Sequence, residues 1–197
     1  MCSSDLNAQG VKGEYTPFFS PVQLNNITDR TQFVDLAPKW YGGIGNTLTY
    51  KNISLDFFVT LVDRMGANYL GTQTFSPGLA NINFPLDLAN RRWMKPGDVT
   101  TVPKATAGIL AYLDQATFVS STGAYSNATY ARLQNCSLSY KLPSKLVRQA
   151  HLASLSVYLA GQNLLTITKY KDLDPENLHA TQLPPLRIFT GGLNVTF

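Results

Sequence analysis

Charge is scarce in this chain. Asp, Glu, Lys and Arg make up 14% of its 197 residues, against roughly 25% in an ordinary soluble domain. Something other than charged side chains must therefore cover much of its surface. Histidine is limited to His151 and His179, and neither stands in an HExxH pattern or beside a second ligand. Cys2 and Cys136 are the two cysteines. They form no metal-ligand or redox spacing and leave the compartment open. GxSxG and phosphate-binding glycine loops are missing too. The chain is accordingly read as no enzyme, with no catalytic residue, cofactor or metal site. No apolar run approaches the ~18–20 residues of a membrane helix. No basic segment leads into an apolar one, so no secretory signal is read. Residues 1–6 differ in character from the rest of the N-terminal segment and read as an arbitrary boundary. The net charge of +4 is small. The basic residues are scattered rather than interleaved with aromatics, which argues against a nucleic-acid partner.

Apolar residues, by contrast, reach 44%, with 14 glycines and 10 tyrosines. The last twelve residues show how they are used. Phe189, Leu193, Val195 and Phe197 have one parity, and Ile188, Thr190, Gly192, Asn194 and Thr196 the other. In a strand, residues of one parity share a face. One face is thus apolar to the final aromatic, and the other is mostly small and polar. A strand between lipid and a wet lumen has this pattern by necessity. The last strand of a soluble sandwich is the competing reading.

The same alternation recurs upstream. Residues 1–41 are loop and extended chain, punctuated by Pro17, Pro21 and Pro38, with a weak strand over 11–19. A strand is expected over 42–50, then a two-residue connection, Lys51-Asn52, of the favoured hairpin length. Over 53–63 the alternation is cleanest. Ile53, Leu55, Phe57, Val59 and Leu61 oppose Ser54, Asp56, Phe58, Thr60 and Val62. Eleven such residues, tilted by ~40°, span about 28 Å, close to the ~25 Å apolar band of an outer-membrane barrel. Further strands are expected over 128–142, 152–163 and 186–197. Between them lie a long irregular stretch at 64–127, a short basic connector at 144–151 and a second long connection at 164–185. The long stretch holds a short helix within 85–93 and a turn at 95–98.

Connection length then tests the membrane reading. With Phe197 set on the periplasmic side, both short connections fall on that side and both long ones outside. Outer-membrane barrels sort their loops this way, whereas a sandwich has no reason to. Tyr50, Tyr140 and Phe197 all fall at periplasmic strand ends, where an aromatic girdle sits. The expected fold is all-β. It is an antiparallel meander of five to six strands, the C-terminal part of a transmembrane β-barrel with long extracellular loops.

Several segments in order carry a family resemblance. They are Pro38-Lys-Trp-Tyr-Gly-Gly43, Arg92-Trp-Met-Lys-Pro-Gly-Asp-Val-Thr100, Tyr130-Ala-Arg-Leu-Gln-Asn135, Leu138-Ser-Tyr-Lys-Leu-Pro143 and Val157-Tyr-Leu-Ala-Gly-Gln-Asn-Leu164. Asp174-Pro-Glu176 and Pro184-Pro-Leu-Arg-Ile-Phe-Thr190 come next, running to Phe197. Over residues 29–197 the chain resembles the SusC/RagA-type TonB-linked outer-membrane receptors. The resemblance implies a piece: residues 42–197 as the C-terminal end of a barrel of about 22 strands with a plugged lumen, the plug lying upstream. It implies import of an oligosaccharide or peptide across the bacterial outer membrane. Its partners would be outer-membrane lipid, a SusD-like surface lipoprotein, TonB through the missing N-terminal region, and the barrel-assembly machinery.

Within this reading Phe189, Leu193, Val195 and Phe197 form an assembly signal. Asp56 on the lumen face is a candidate solute contact. Trp93, Tyr112 and Tyr125 in the long loop are candidate solute or partner contacts, with loop packing as the plainer account. Asp172, Asp174 and Glu176 lack the spacing of a calcium loop, and a turn begun by Asp174-Pro175 fits better. The reading from another class is a soluble all-β carbohydrate-binding module, with its apolar faces buried against each other.

Overall fold

A computed structural model describes residues 32–74, 77–79, 83–108, 115–116, 118–171, 173–179 and 182–197. The expected loop and strand within 1–31 lie outside these residues. The chain forms two compact units. One comprises Pro38–Arg64, Thr129–Lys169 and Leu183–Phe197; the other takes in Met65–Ala128 and Tyr170–Gln182.

The first unit is a single five-stranded sheet. Its strands are β1 (Trp40–Tyr50), β2 (Ile53–Asp63), β5 (Tyr130–Lys141), β6 (Ser154–Thr168) and β7 (Ile188–Thr196). They lie in that order, every neighbour antiparallel. Among the described residues the sheet is open, with β1 and β7 as its end strands. The all-β antiparallel meander expected from alternation is what forms.

Residue register shows why. Leu48, Leu55, Leu138 and Leu159 stand side by side in one row, and Phe57, Cys136, Gly161 and Phe189 in another. Pairing keeps like parity together across every strand, because a slip by one residue would turn a whole strand inside out. Leu55, Phe57, Val59, Leu155, Val157, Leu193 and Val195 consequently share one face.

At one end the sheet turns through Lys51-Asn52, with Lys51 at φ 53°, and through residues 142–153. The latter hold helix α2 (Ser144–Gln149). α2 stops in a Schellman arrangement. The Leu152 amide donates to the Val147 carbonyl and the His151 amide to the Arg148 carbonyl, each at 3.1 Å. His151 takes the left-handed position at φ 58°, where glycine is usual. The short basic connector expected at 144–151 is this helical turn. At the other end lie the long connections, 64–129 and 169–187.

Two strands extend beyond the expected bounds. β1 begins at Trp40. β6 runs on to Thr168, not to 163. The sequence hides the extension because alternation breaks at Asn163, which adopts φ 53°. Pairing is irregular there: Gln134 alone on β5 lies between Leu133 and Asn135, which pair with Leu165 and Gln162.

The second unit is built differently. Short strands β3 (Met65–Ala67) and β4 (Tyr125–Asn127) pair antiparallel, and helix α1 (Leu86–Arg91) begins after Pro85. Its core is Leu70, Leu88, Val102, Phe118 and Ala124, with Tyr69, Phe84, Val119 and Tyr125 packed around it. The stretch expected to be irregular is thus an ordered body with its own apolar centre. Gly71 marks how tightly it closes: a Cβ there would lie 2.3 Å from the Ala124 carbonyl oxygen. Backbone cannot retreat as a side chain can. Gly71→Ala is expected to destabilise this unit by about 1–3 kcal/mol, the usual cost of overpacking. Gly42→Ala in β1, with nothing within 4 Å of the new Cβ, is expected to be near neutral. Protease susceptibility of the loop unit under rising urea separates the two.

Candidate functional site: a two-faced sheet and a loop unit

The outer face of the sheet is apolar and bare. Leu193 is 64% exposed and Ile167 65% exposed, and Leu48, Leu138, Leu159 and Leu165 are also exposed. Such a continuous face exceeds the scattered exposed apolar residues normal on a soluble protein.

The inner face is polar and small. One row reads Thr47, Asp56, Ser137, Ala160, Thr190; the next towards the short turns reads Thr49, Ser54, Ser139, Tyr158, Gly192. Asp56 sits there as expected from parity, exposed, and accepts a hydrogen bond from the Thr47 hydroxyl at 2.6 Å. Phe58 leans across β1, where a Cβ on Gly43 would come 2.4 Å from its ring. Tyr158 covers Gly192 in the same way, at 2.5 Å from its hydroxyl. Aromatics laid over strand glycines keep a twisted sheet covered on that face.

Arg132 is the inner-face residue that sequence reading missed. It is 3% exposed. Its Nε donates to the Thr166 hydroxyl at 3.0 Å, and its guanidinium lies 5.3 Å from the Tyr130 ring centroid. Even positions of β5 point outward at Cys136, Leu138 and Tyr140. Plain alternation would place Arg132 outward as well. The bulge at Gln134, between Phe58 and Val59 of β2, resets the parity. Leu133 and Ala131 then join the apolar face, and Arg132 pairs inward with Thr60. Bulges are a known means of re-aiming a side chain. The signal available in sequence was the reversal itself, Ala131 and Leu133 against Cys136 and Leu138.

The loop residues divide. Tyr125 belongs to β4 and packs against the loop core. Trp93 is half-buried, with its amide donating to the Val102 carbonyl at 3.0 Å and the Lys104 ammonium 5.8 Å from its ring centroid. Tyr112 lies outside the described residues. Asp98 closes the turn at 95–98, its carboxylate accepting from the Met94 and Lys95 amides, each at 3.0 Å. Asp174 does likewise for its own turn, accepting from the Glu176 and Asn177 amides at 3.0 and 3.2 Å. Asp172 is not among the described residues. No cluster of three His, Cys, Asp or Glu side chains occurs among those that are. Phe189, Leu193 and Val195 line the outer face of β7, and Phe197 comes just after it, exposed.

No protein-family model matches the chain. Two curated proteins do, both from Formosa agariphila. TonB-dependent receptor P3 is 29% identical over 187 residues, covering 87% of this chain and 18% of that protein. TonB-dependent receptor P26 is 25% identical over 177 residues, covering 79% and 16%. Among solved structures, the RagAB peptide importer in its closed-closed state matches 98% of this chain and 20% of its own, with a TM-score of 0.67 at 23% identity. Its open-open state matches 90% and 19%, with a TM-score of 0.64 at 23% identity. The chain is thus similar to TonB-dependent receptors. The structural likeness bears on the fold. The chain spans less than one-fifth of the length of those two receptors. Within such receptors it corresponds to part of a β-barrel wall, consistent with a sheet whose two end strands are open.

Proposed function

We propose that this chain forms part of the wall of a TonB-dependent importer in the bacterial outer membrane. The observation that carries the reading is the two-faced sheet. Five antiparallel strands hold one exposed apolar face and one polar face, with a bulge at Gln134, and with short connections at one end and long ones at the other. Lipid would cover the first face, and a wet lumen would meet the second. In a soluble carbohydrate-binding sandwich the apolar face would be covered by a second sheet, and the exposure of Leu159, Ile167 and Leu193 speaks against that alternative.

The solute would be an oligosaccharide or a peptide. A SusD-like surface lipoprotein would assist its capture, and TonB would supply energy through a part of the receptor outside this chain. Asp56 would meet solute in the lumen. Trp93 and Tyr125 would serve the external loop unit, either in solute contact or by shaping the surface that the lipoprotein meets. The chemistry would be transport rather than catalysis, with no cofactor required.

Sidedness is open to direct test. Gly97 lies in an exposed turn at φ 95°, with nothing within 4 Å of where a Cβ would be, so an insertion there disturbs little. Gly78 is a poorer place, since the Pro77 carbonyl accepts from the Thr106 amide at 2.8 Å. An epitope inserted between Pro96 and Gly97 of the receptor is expected to be labelled on intact cells. Labelling only after the outer membrane is permeabilised would invert the topology.

A further inference from the structure

Charge is spread unevenly along the sheet. From Gln115 to Lys171 the chain has no acidic residue, and neither 46–55 nor 190–197 has one. Those segments make up the short-turn end. It carries Lys51, Lys141, Lys145 and Arg148, all exposed. Among the described residues none of the four forms an ion pair. Asp56, the acidic residue nearest to Lys51 in sequence, stands on the inner face and accepts from the Thr47 hydroxyl. The long-loop end mixes signs, with Lys39, Asp63, Arg64 and Lys169.

These cations border the apolar face. The Lys141 amide donates to the Asn52 carbonyl at 2.8 Å, and the Asn52 side-chain amide donates to the Lys141 carbonyl at 2.7 Å. The Lys51-Asn52 turn is thereby pinned to the strand that leads into α2. The Lys51 ammonium lies 5.2 Å from the Tyr50 ring centroid. Tyr50 belongs to an outward row with Ile53, Tyr140, Val157 and Leu193, every one exposed. In α2, Val147 is 3% exposed while Leu146 is 56% exposed. Lys145 and Arg148, three residues apart, are neighbours on the helix surface. Lys141 ends β5 on the inner parity and adds to the local potential alone.

The short-turn end therefore offers cations, an exposed leucine and the last outward aromatics at one boundary. A free anion would use the cations and leave the apolar groups in water. An anion carried on alkyl chains meets both, because lysine and arginine lay their stems on apolar surface and keep their charge at the headgroup level. The geometry points to a docking surface for anionic phospholipid. Lys51, Lys145 and Arg148 hold the phosphodiester headgroups, and acyl chains lie along the row that contains Tyr50 and Tyr140. This deepens the importer reading and rests on it for placing the short-turn end at the periplasmic leaflet.

The test uses full-length receptor purified in an uncharged detergent at low ionic strength. Dioctanoyl phosphatidylglycerol is the probe; dioctanoyl phosphatidylcholine and inorganic phosphate are the contrasting arms. Native mass spectrometry reads the lipid-bound fraction, and heat-modifiable migration reports folding. Wild type is expected to bind phosphatidylglycerol in preference to phosphatidylcholine. Lys51→Asn, Lys145→Gln and Arg148→Gln combined are expected to weaken phosphatidylglycerol binding at least about tenfold, since one basic residue at an anionic lipid surface is worth about fivefold. Asparagine suits the left-handed backbone at 51 (φ 53°), and glutamine is a good helix former. Lys145→Gln alone, expected to cost about threefold, decides the matter if the combined variant misfolds. Leu146→Gln removes no charge and is expected to weaken binding about twofold, a loss that a free-anion site would not show. Lys39→Gln with Lys169→Gln, at the other end, is expected to leave binding unchanged. Equal binding of the two lipids, losses no greater at the short-turn end than at Lys39 and Lys169, or displacement of the lipid by an equal concentration of inorganic phosphate would each overturn the surface. Failure of the importer reading is seen separately, as wild-type receptor that does not insert into membranes.

Discussion

Phe57→Arg is expected to lower the stability of the lipid-inserted receptor by about 2–4 kcal/mol, the cost of a basic side chain on the lipid face near the bilayer midplane. Phe57 lies near the centre of β2, in an outward row with Cys136, Gly161 and Phe189. A guanidinium there must shed its hydration or drag water into the hydrocarbon. The comparison needs an inward position that tolerates a cation. Thr60 is unsuitable, because Arg132 stands directly opposite it and like charges in that relation repel. Ser137 suits better, since it pairs with Asp56 on the inner face. An opposite charge across strands is worth roughly 0.2–1 kcal/mol, so Ser137→Arg should be near neutral or slightly stabilising. Urea titrations of receptor folded into lipid vesicles measure both. Equal losses in the two variants would reject the assignment of faces.

Deleting Phe197 is expected to lower the folded, inserted fraction several-fold and to leave precursor in the periplasm. β7 is an end strand, paired with β6 alone within this sheet. Its remaining backbone groups are available for strand addition, in which main-chain bonds supply affinity and alternate side chains supply register. Phe189, Leu193 and Val195 would set that register, and Phe197, 93% exposed just past the strand, would fill a pocket of the insertion machinery. Receptor that does insert should bind solute as before. Quantifying membrane-inserted against periplasmic protein, with solute binding to the inserted pool, separates the roles. Normal insertion with uptake abolished would make Phe197 a functional residue and not an assembly signal.

Both experiments depend on features that alternation already exposes, and the reason lies in how far each signal reaches. A strand places residues two apart on one face, so the run Ile53, Leu55, Phe57, Val59, Leu61 declares its own direction without help from any other strand. The same holds for Leu155 to Leu159 and for Leu193 to Phe197. Connection lengths are likewise readable one at a time. The strand set, the sorting of loops and the position of Asp56 were therefore legible. Alternation fails where a partner strand decides the geometry. The bulge at Gln134 exists because β5 and β6 carry residues that β2 does not match. Within 128–142 the reversal of Ala131 and Leu133 against Cys136 and Leu138 marks a break in alternation, but the partner strands fix where it falls and that Arg132 turns inward.

The loop unit was still less legible. Its core joins Leu70, Leu88, Val102, Phe118 and Ala124, which obey no helical or strand period and meet only through long-range closure. Gln115 reads in sequence as one more polar loop residue. It becomes anchored only when residues 70–73 arrive beside it. The sequence by itself determined which segments are strands and which of their faces is apolar, because those properties repeat every two residues. Tertiary structure decided the inward aim of Arg132 and the anchoring of Gln115, because each depends on groups contributed by a segment more than thirty residues away.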